Sequence, residues 1–171
     1  DARTQAALLI RLAGLRALEP AVTFCAPRLH AAAQIVDRIG DHLRAERWSE
    51  AAAIARSAQG LCDVIQSEAA ARQVVEEQRA SLVSGLLDAL RQQELVVPDP
   101  ELAQSGDLDS DVVLHVHRVV RPLTVRVSKA GRLSYHSPGT DPTLWLVAHK
   151  AQHVLGDSYG FDLALGDILA D

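Results

Sequence analysis

The chain has 171 residues and a formal net charge of −5 at pH 7, a size that fits one domain or one compact unit with a projecting helix. Hydrophobic residues make up 48% of it, but Trp, Tyr and Phe occur only twice each, so its core must consist mainly of aliphatic side chains. No stretch reaches the roughly 20 apolar residues that a membrane-spanning helix needs, and the N-terminal segment lacks the parts of a signal peptide. We therefore expect a soluble, cytoplasmic protein.

Composition also bears on the origin of the chain and on its thiols. Arg outnumbers Lys by 15 to 2 and Ala is abundant, which is typical of proteins from GC-rich bacterial genomes. The sequence starts at Asp1 and contains no Met, so we expect a part of a larger bacterial protein. Cys25 and Cys62 follow apolar residues and lack the CxxC spacing of a metal site, which favours buried free thiols over a disulfide.

Helical periodicity dominates the first ninety residues. The spacing of Leu8, Leu12 and Leu15 predicts a helix over Arg3–Ala17 that stops before Pro20. A loop through Thr23–Pro27 is then expected to lead into a second helix, Pro27–Arg44, with the proline in its first turn.

A third, very long helix is predicted from an N-cap at Ser49 to Leu95. No proline interrupts it, but Gly60 lies within it, and a helix of this length exceeds what a compact domain can cover. Either the helix breaks near Gly60 or part of it needs a partner. An apolar segment near its end favours binding to a second copy or another subunit, and its predicted contact residues are Leu82, Leu86 and Leu90.

Around residue 110 the pattern changes to alternating, β-branched residues. Residues 97–110, rich in proline and acidic side chains, suit a linker between a helical body, residues 1–96, and a small head, residues 111–171. The head is expected to hold three strands, a helix and an edge strand. The expected strands are Val112–Val120, Leu123–Ser128 and Arg132–His136. The expected helix runs from Asp141 to about Leu155 and is ended by Gly156. The edge strand would include Phe161, Leu163 and Leu165, although Leu165–Leu169 could also form a helical turn. The predicted fold class is α+β, with an N-terminal helical hairpin or bundle followed by a small antiparallel sheet packed with a C-terminal helix.

The head is locally basic although the whole chain is acidic. Its basic residues could hold phosphates, which makes a nucleic-acid-binding accessory domain the alternative function. Strand alternation, however, places Arg118 on the opposite face from His115 and His117, and Tyr135 on the apolar face, so no ring is available for base stacking. The residues of this alternative site are Arg118, Arg121, Arg126, Lys129 and Arg132.

Histidines in the head offer a third hypothesis, a metal-dependent activity. His115 and His117 share one strand face, and His149 and His153 lie one helical turn apart, so two pairs could supply a tetrahedral zinc site. The apolar stripe of the last helix points the second pair away from the sheet, and the segment 149–153 lacks the glutamate of the HExxH motif. Solvated histidines remain the simpler interpretation.

No sequence motif indicates catalysis. The chain contains no GxSxG elbow, P-loop or GxGxxG turn, so we expect a non-enzymatic protein that needs no cofactor. The primary hypothesis is a protein–protein interaction or assembly module. Its expected partner is a second copy of the chain or another protein subunit, with nucleic acid as the alternative and no membrane contact.

Overall fold

A computed structural model describes residues 2–117, 122–137, 142–159 and 168–170. Within these ranges, helices are followed by a mainly antiparallel sheet and a further helix, which confirms the predicted α+β fold class. The chain divides into two compact units, Asp1–Val74 and Val75–Asp171. The helices are α1 (Ala2–Ala17), α2 (Glu19–Arg44), α3 (Trp48–Arg91) and α4 (Pro142–Tyr159), and the strands are β1 (Glu101–Leu102), β2 (Val112–His117), β3 (Pro122–Val127), β4 (Leu133–Ser137) and β5 (Ile168–Ala170).

Helix α2 begins earlier than predicted and contains a kink where a loop was expected. Pro20 lies in its first turn, where a missing N–H leaves no helical hydrogen bond unmade, so this proline starts α2 as well as ending α1. Cys25 has non-helical angles, with φ −124° and ψ 19°. It lies just before Pro27, whose ring clashes with the carbonyl one turn earlier in a regular helix. The prediction of a loop over Thr23–Pro27 was therefore wrong.

Helix α3 passes through Gly60 without interruption, so the alternative of a break there was wrong. The glycine is exposed, and a Cβ added to it would meet no atom within 4 Å. Because one glycine costs a helix only about 1 kcal/mol, the flanking alanines and leucines keep the helix continuous. Glu94 lies in the turn that follows α3 and has a left-handed φ of 58°.

The first unit is a bundle of α1, α2 and the first part of α3. Its buried residues are small or aliphatic, and no aromatic residue is among the buried side chains that the structure describes there. Cys25 and Cys62 are free and buried. One apolar cluster contains Leu12, Leu15, Ala21, Cys25, Leu29, Ala32, Cys62, Ile65 and Ala69, and a second contains Leu8, Val36, Ile39, Ala51, Ala55 and Ala58.

The second unit contains a five-stranded sheet in the order β1-β2-β3-β4-β5. The first three pairings are antiparallel, and β5 returns parallel to β4 after α4. Strand β1 lies inside the segment predicted as a linker. The predicted edge-strand residues Phe161, Leu163 and Leu165, and the predicted end of the first strand at residues 118–120, lie outside the described residues.

One face of this sheet is closed by helices. A single apolar cluster joins the inward side chains of β2, β3 and β4 to the last turns of α3 and to α4, so both helix segments cover the same face. Helix α4 continues to Tyr159, beyond the predicted stop at Gly156. Between β3 and β4, Gly131 adopts a φ of 75° that favours glycine, and its N–H donates to the Ser128 carbonyl at 2.9 Å.

Candidate functional site

The predicted assembly leucines lie inside the second unit. Leu82, Leu86 and Leu90 are all buried within the chain, and they belong to the apolar cluster beneath the sheet. Periodicity identified correctly that this side of α3 is apolar, but the strands of the same chain cover it. These three side chains therefore offer almost no exposed surface to a second copy, and the structure gives no support to the prediction that they bind one.

A different helix carries exposed apolar residues. On α1, Leu8, Leu12 and Leu15 point into the bundle. Ile10 lies about 200° around the helix from Leu8, and 74% of its surface is exposed, while Leu9 is 46% exposed. Helix α1 is thus apolar on two opposite sides, and only one of them is covered within the first unit.

The second apolar side of α1 runs along most of the helix. Residues three or four positions from Ile10 share its side of the helix, and all of those on α1 are small and exposed. Arg3 lies on this same side at the N-terminal end. We call this surface the α1 stripe, and its residues are Arg3, Ala6, Ala7, Leu9, Ile10, Ala13, Gly14 and Ala17.

The inner side of α1 is held by polar as well as apolar contacts. Arg11 forms an ion pair with Asp63 and donates to the Gln66 side-chain oxygen at 3.2 Å. The side chain of Gln5 occupies the space where a Cβ on Gly40 would lie. These contacts orient α1 about its axis, so the α1 stripe faces away from α2 and α3.

The second candidate surface is the side of the sheet opposite the helices. Alternation in β2 buries Leu114 and Val116 and exposes His115 and His117. The register places His115 opposite Thr124, and Thr124 opposite His136. We call this surface the outer sheet face. Its described residues are His115, His117, Thr124, Arg126, Arg132, Ser134 and His136.

Two of the five predicted nucleic-acid-binding residues stand on the outer sheet face. Arg126 is exposed and lies opposite Ser134, and Arg132 is exposed just before β4. Lys129 instead forms an ion pair with Asp109. Arg118 and Arg121 lie outside the described residues.

Acidic residues offset the positive charge of the outer sheet face. Glu101 on β1 lies opposite Val113, which in turn lies opposite Arg126. Asp111 precedes β2, and its carbonyl accepts a hydrogen bond from the Ala103 N–H at 2.8 Å. Among the described residues, two arginines and two carboxylates at the edge leave this face without a clear excess of charge.

The histidines predicted as metal ligands are on separate surfaces. His149 and His153 are exposed on α4, which covers the inner face of the sheet, whereas His115 and His117 are on the outer face. His153 lies within 2.8 Å of the Asp157 carboxylate. Among the residues that the structure describes, no three His, Cys, Asp or Glu side chains are placed to hold a metal ion.

The sequence pattern did not indicate that an arginine on α3 is buried against the loop that precedes β2. Arg79 is only 5% exposed, and it donates to the carbonyls of Leu108 and Ser110, both at 2.9 Å, and to the Glu76 carboxylate at 2.6 Å. A charged residue can be buried at little net cost when it is fully hydrogen-bonded. Its role here is to fasten the loop before β2 to the helix.

An open cavity of about 610 Å³ lies beside Arg79. Val75 and Leu82 form apolar walls, and Arg79 and Lys129 reach its rim. Both cations are already paired with carboxylates, Glu76 and Asp109. The cavity therefore presents apolar surface with no uncompensated charge to select a ligand.

None of the described helices combines the length and the apolarity that crossing a bilayer requires. Comparisons with protein-family models, with curated proteins and with solved structures found no match to the chain.

Proposed function

We propose that the protein is a protein–protein interaction module that binds its partner through the α1 stripe. The observation that carries this proposal is the exposure of Ile10, at 74%, in the middle of a helix side that bears no acidic residue and only one arginine. A helix that is apolar around most of its circumference is normally covered on all sides. In the first unit it is covered on one side only.

The shape of the α1 stripe suits a helical partner. Alanine and glycine at the positions around Ile10 let a second helix approach closely, and Ile10 then supplies a large side chain that can enter the partner's surface. Burial of Ile10 and Leu9 would remove most of the exposed aliphatic area on this helix from water, which is the main driving force for association. Polar side chains at the edge of the α1 stripe would fix the orientation of the partner helix.

A photo-crosslinking residue on the α1 stripe tests whether this surface contacts another protein in the cells that naturally produce the chain. The residue p-benzoylphenylalanine is placed at position 10, and the matched control carries it at position 64, because Val64 is also apolar and 47% exposed but lies on α3. We expect a crosslinked protein, identified by mass spectrometry, from position 10 and at least tenfold less from position 64. Equal yields from both positions, or none from either, would overturn the proposal.

A further inference from the structure

We infer that the partner is a second copy of the chain, whose α1 packs antiparallel against the first with the two Ile10 side chains at the symmetry axis. This inference rests on the proposed function and names the partner for the same surface. In this two-fold pairing, the stripe residues three, four and seven positions before Ile10 face those three, four and seven positions after it on the other copy.

The α1 stripe is nearly palindromic about Ile10, as such a pairing requires. A two-fold interface uses the same patch on both subunits, so the patch must be complementary to itself. Three positions from Ile10 on either side lie Ala7 and Ala13, and four positions away lie Ala6 and Gly14. Small residues then face small residues along both arms, and the isoleucines fill the centre.

Charge selects antiparallel over parallel pairing. Residues 2–17 contain three arginines and no acidic residue. A parallel pair would place Arg3 beside Arg3 and Arg16 beside Arg16. An antiparallel pair instead places Arg3 beside Ala17 of the other copy, where the last carbonyls of the helix carry partial negative charge.

The contact area indicates a weak dimer. One pair of short helices with small side chains buries less than the roughly 1,200 Å² at which stable interfaces begin. We therefore expect association at micromolar or higher chain concentration, and the solution mass must be followed by light scattering over a wide concentration range. Ile10→Glu should raise the dissociation constant at least tenfold, whereas Val64→Glu should change it less than twofold.

Single cysteines test the geometry directly. In the antiparallel pair, two copies of residue 10 lie within the roughly 7 Å reach of a disulfide, but two copies of residue 17 are about 21 Å apart, at 1.5 Å per residue. Under mild oxidation Ile10→Cys should form a covalent dimer, and Ala17→Cys should form at least tenfold less. A mixture of Arg3→Cys and Ala17→Cys should form mixed dimers. The native thiols are buried and do not compete.

The outcomes separate this inference from the proposed function. Efficient cross-linking of Ala17→Cys to itself would mean a parallel pair and would overturn the geometry. A chain that stays monomeric at all concentrations, while position 10 photo-crosslinks to a different protein, would overturn self-association and leave the proposed function standing. Failure of both the cysteine and the photo-crosslinking experiments would overturn both.

Discussion

The two units place their apolar residues in opposite ways. In the first unit, alanine-rich helices bury one side and leave another apolar side of α1 exposed. In the second unit, strand alternation places apolar residues on the face of the sheet that the helices cover and mainly polar residues on the other face. Most apolar side chains of the sheet are buried in the second unit's own core, so they leave little apolar surface for a partner.

The units also differ in what they bury. The first unit buries small side chains and two thiols, and the polar contacts it makes are near its surface. The second unit buries a tyrosine and an arginine among larger aliphatic side chains. Substitutions that affect one unit and spare the other therefore test this difference in buried side chains.

The largest expected effect comes from placing a charge in the core of the second unit. Leu86 is fully buried beneath the sheet, so Leu86→Glu should destabilise that unit by about 5 kcal/mol or more, since the lost apolar burial and the unpaired buried carboxylate both add to the cost. Hydrogen exchange should show lost protection of the amides in β2, β3 and β4, while α1 and α2 stay protected. Ser84→Glu, exposed on the same helix, is the matched control.

Two other results for Leu86→Glu would contradict this description of the second unit. If the strands keep their protection and only the solution mass changes, then Leu86 lies at an assembly surface and not in a closed core. If α1 and α2 lose protection together with the strands, then the two units unfold as one.

The features of the fold that could be predicted were those that depend on patterns of neighbouring residues in the sequence. The turn between β3 and β4 was predictable because Gly131 follows a lysine and an alanine just after the β-branched segment of β3, and the alternation around His115 indicated which strand residues face out. The coverage of Leu86 was not predictable, because periodicity shows that a helix side is apolar but not which element covers it. Arg79 was equally hidden, since its partners are backbone carbonyls about thirty residues away in sequence.

The α1 stripe was not predicted, for a related reason. Leu8, Leu12 and Leu15 form a stripe that accounts for the buried side of α1, but it gives no information on the side that carries Ile10. Its position about 200° from Leu8 is itself a signal, because a helix that needs only one buried side should be polar there. A second apolar side is the feature that could have identified the α1 stripe from the sequence.

Identical substitutions at two glycines should change stability in opposite directions. Gly60→Ala, in the middle of α3 with no atom near the added Cβ, should stabilise the first unit by about 0.5–1 kcal/mol. Gly131→Ala, at a φ of 75°, should destabilise the second unit by about 1 kcal/mol because the left-handed conformation disfavours a side chain. Urea unfolding of both variants measures the two shifts.

An asparagine controls for the backbone explanation. Gly131→Asn should cost less than Gly131→Ala, since asparagine tolerates the left-handed region. Equal losses from alanine and asparagine would point to crowding against Leu82, whose nearest atom is 3.8 Å from the added Cβ. A loss of stability in Gly60→Ala would mean that α3 is not a regular helix at that point.

The smallest effect at neutral pH concerns the buried tyrosine. The Tyr135 hydroxyl has no hydrogen-bond partner among the described residues, so Tyr135→Phe should keep or raise the stability of the second unit, by up to about 1 kcal/mol. Burial raises the pKa of Tyr135 far above its ordinary value of 10.0, and it also raises the pKa of Cys62 in the first unit above 9.0. In each case the unfolded chain loses its proton at lower pH than the folded chain, so stability falls as pH rises.

The alkaline range therefore magnifies this last difference. Above pH 10 the wild-type protein should lose up to about 1.4 kcal/mol of stability per pH unit through Tyr135, a loss that Tyr135→Phe lacks. Both proteins keep the contribution of Cys62, so the difference between their urea midpoints at pH 7 and pH 11 isolates the tyrosine. If the difference does not widen with pH, the Tyr135 hydroxyl reaches water, and the core of the second unit is less tightly closed than the burial of Tyr135 indicates.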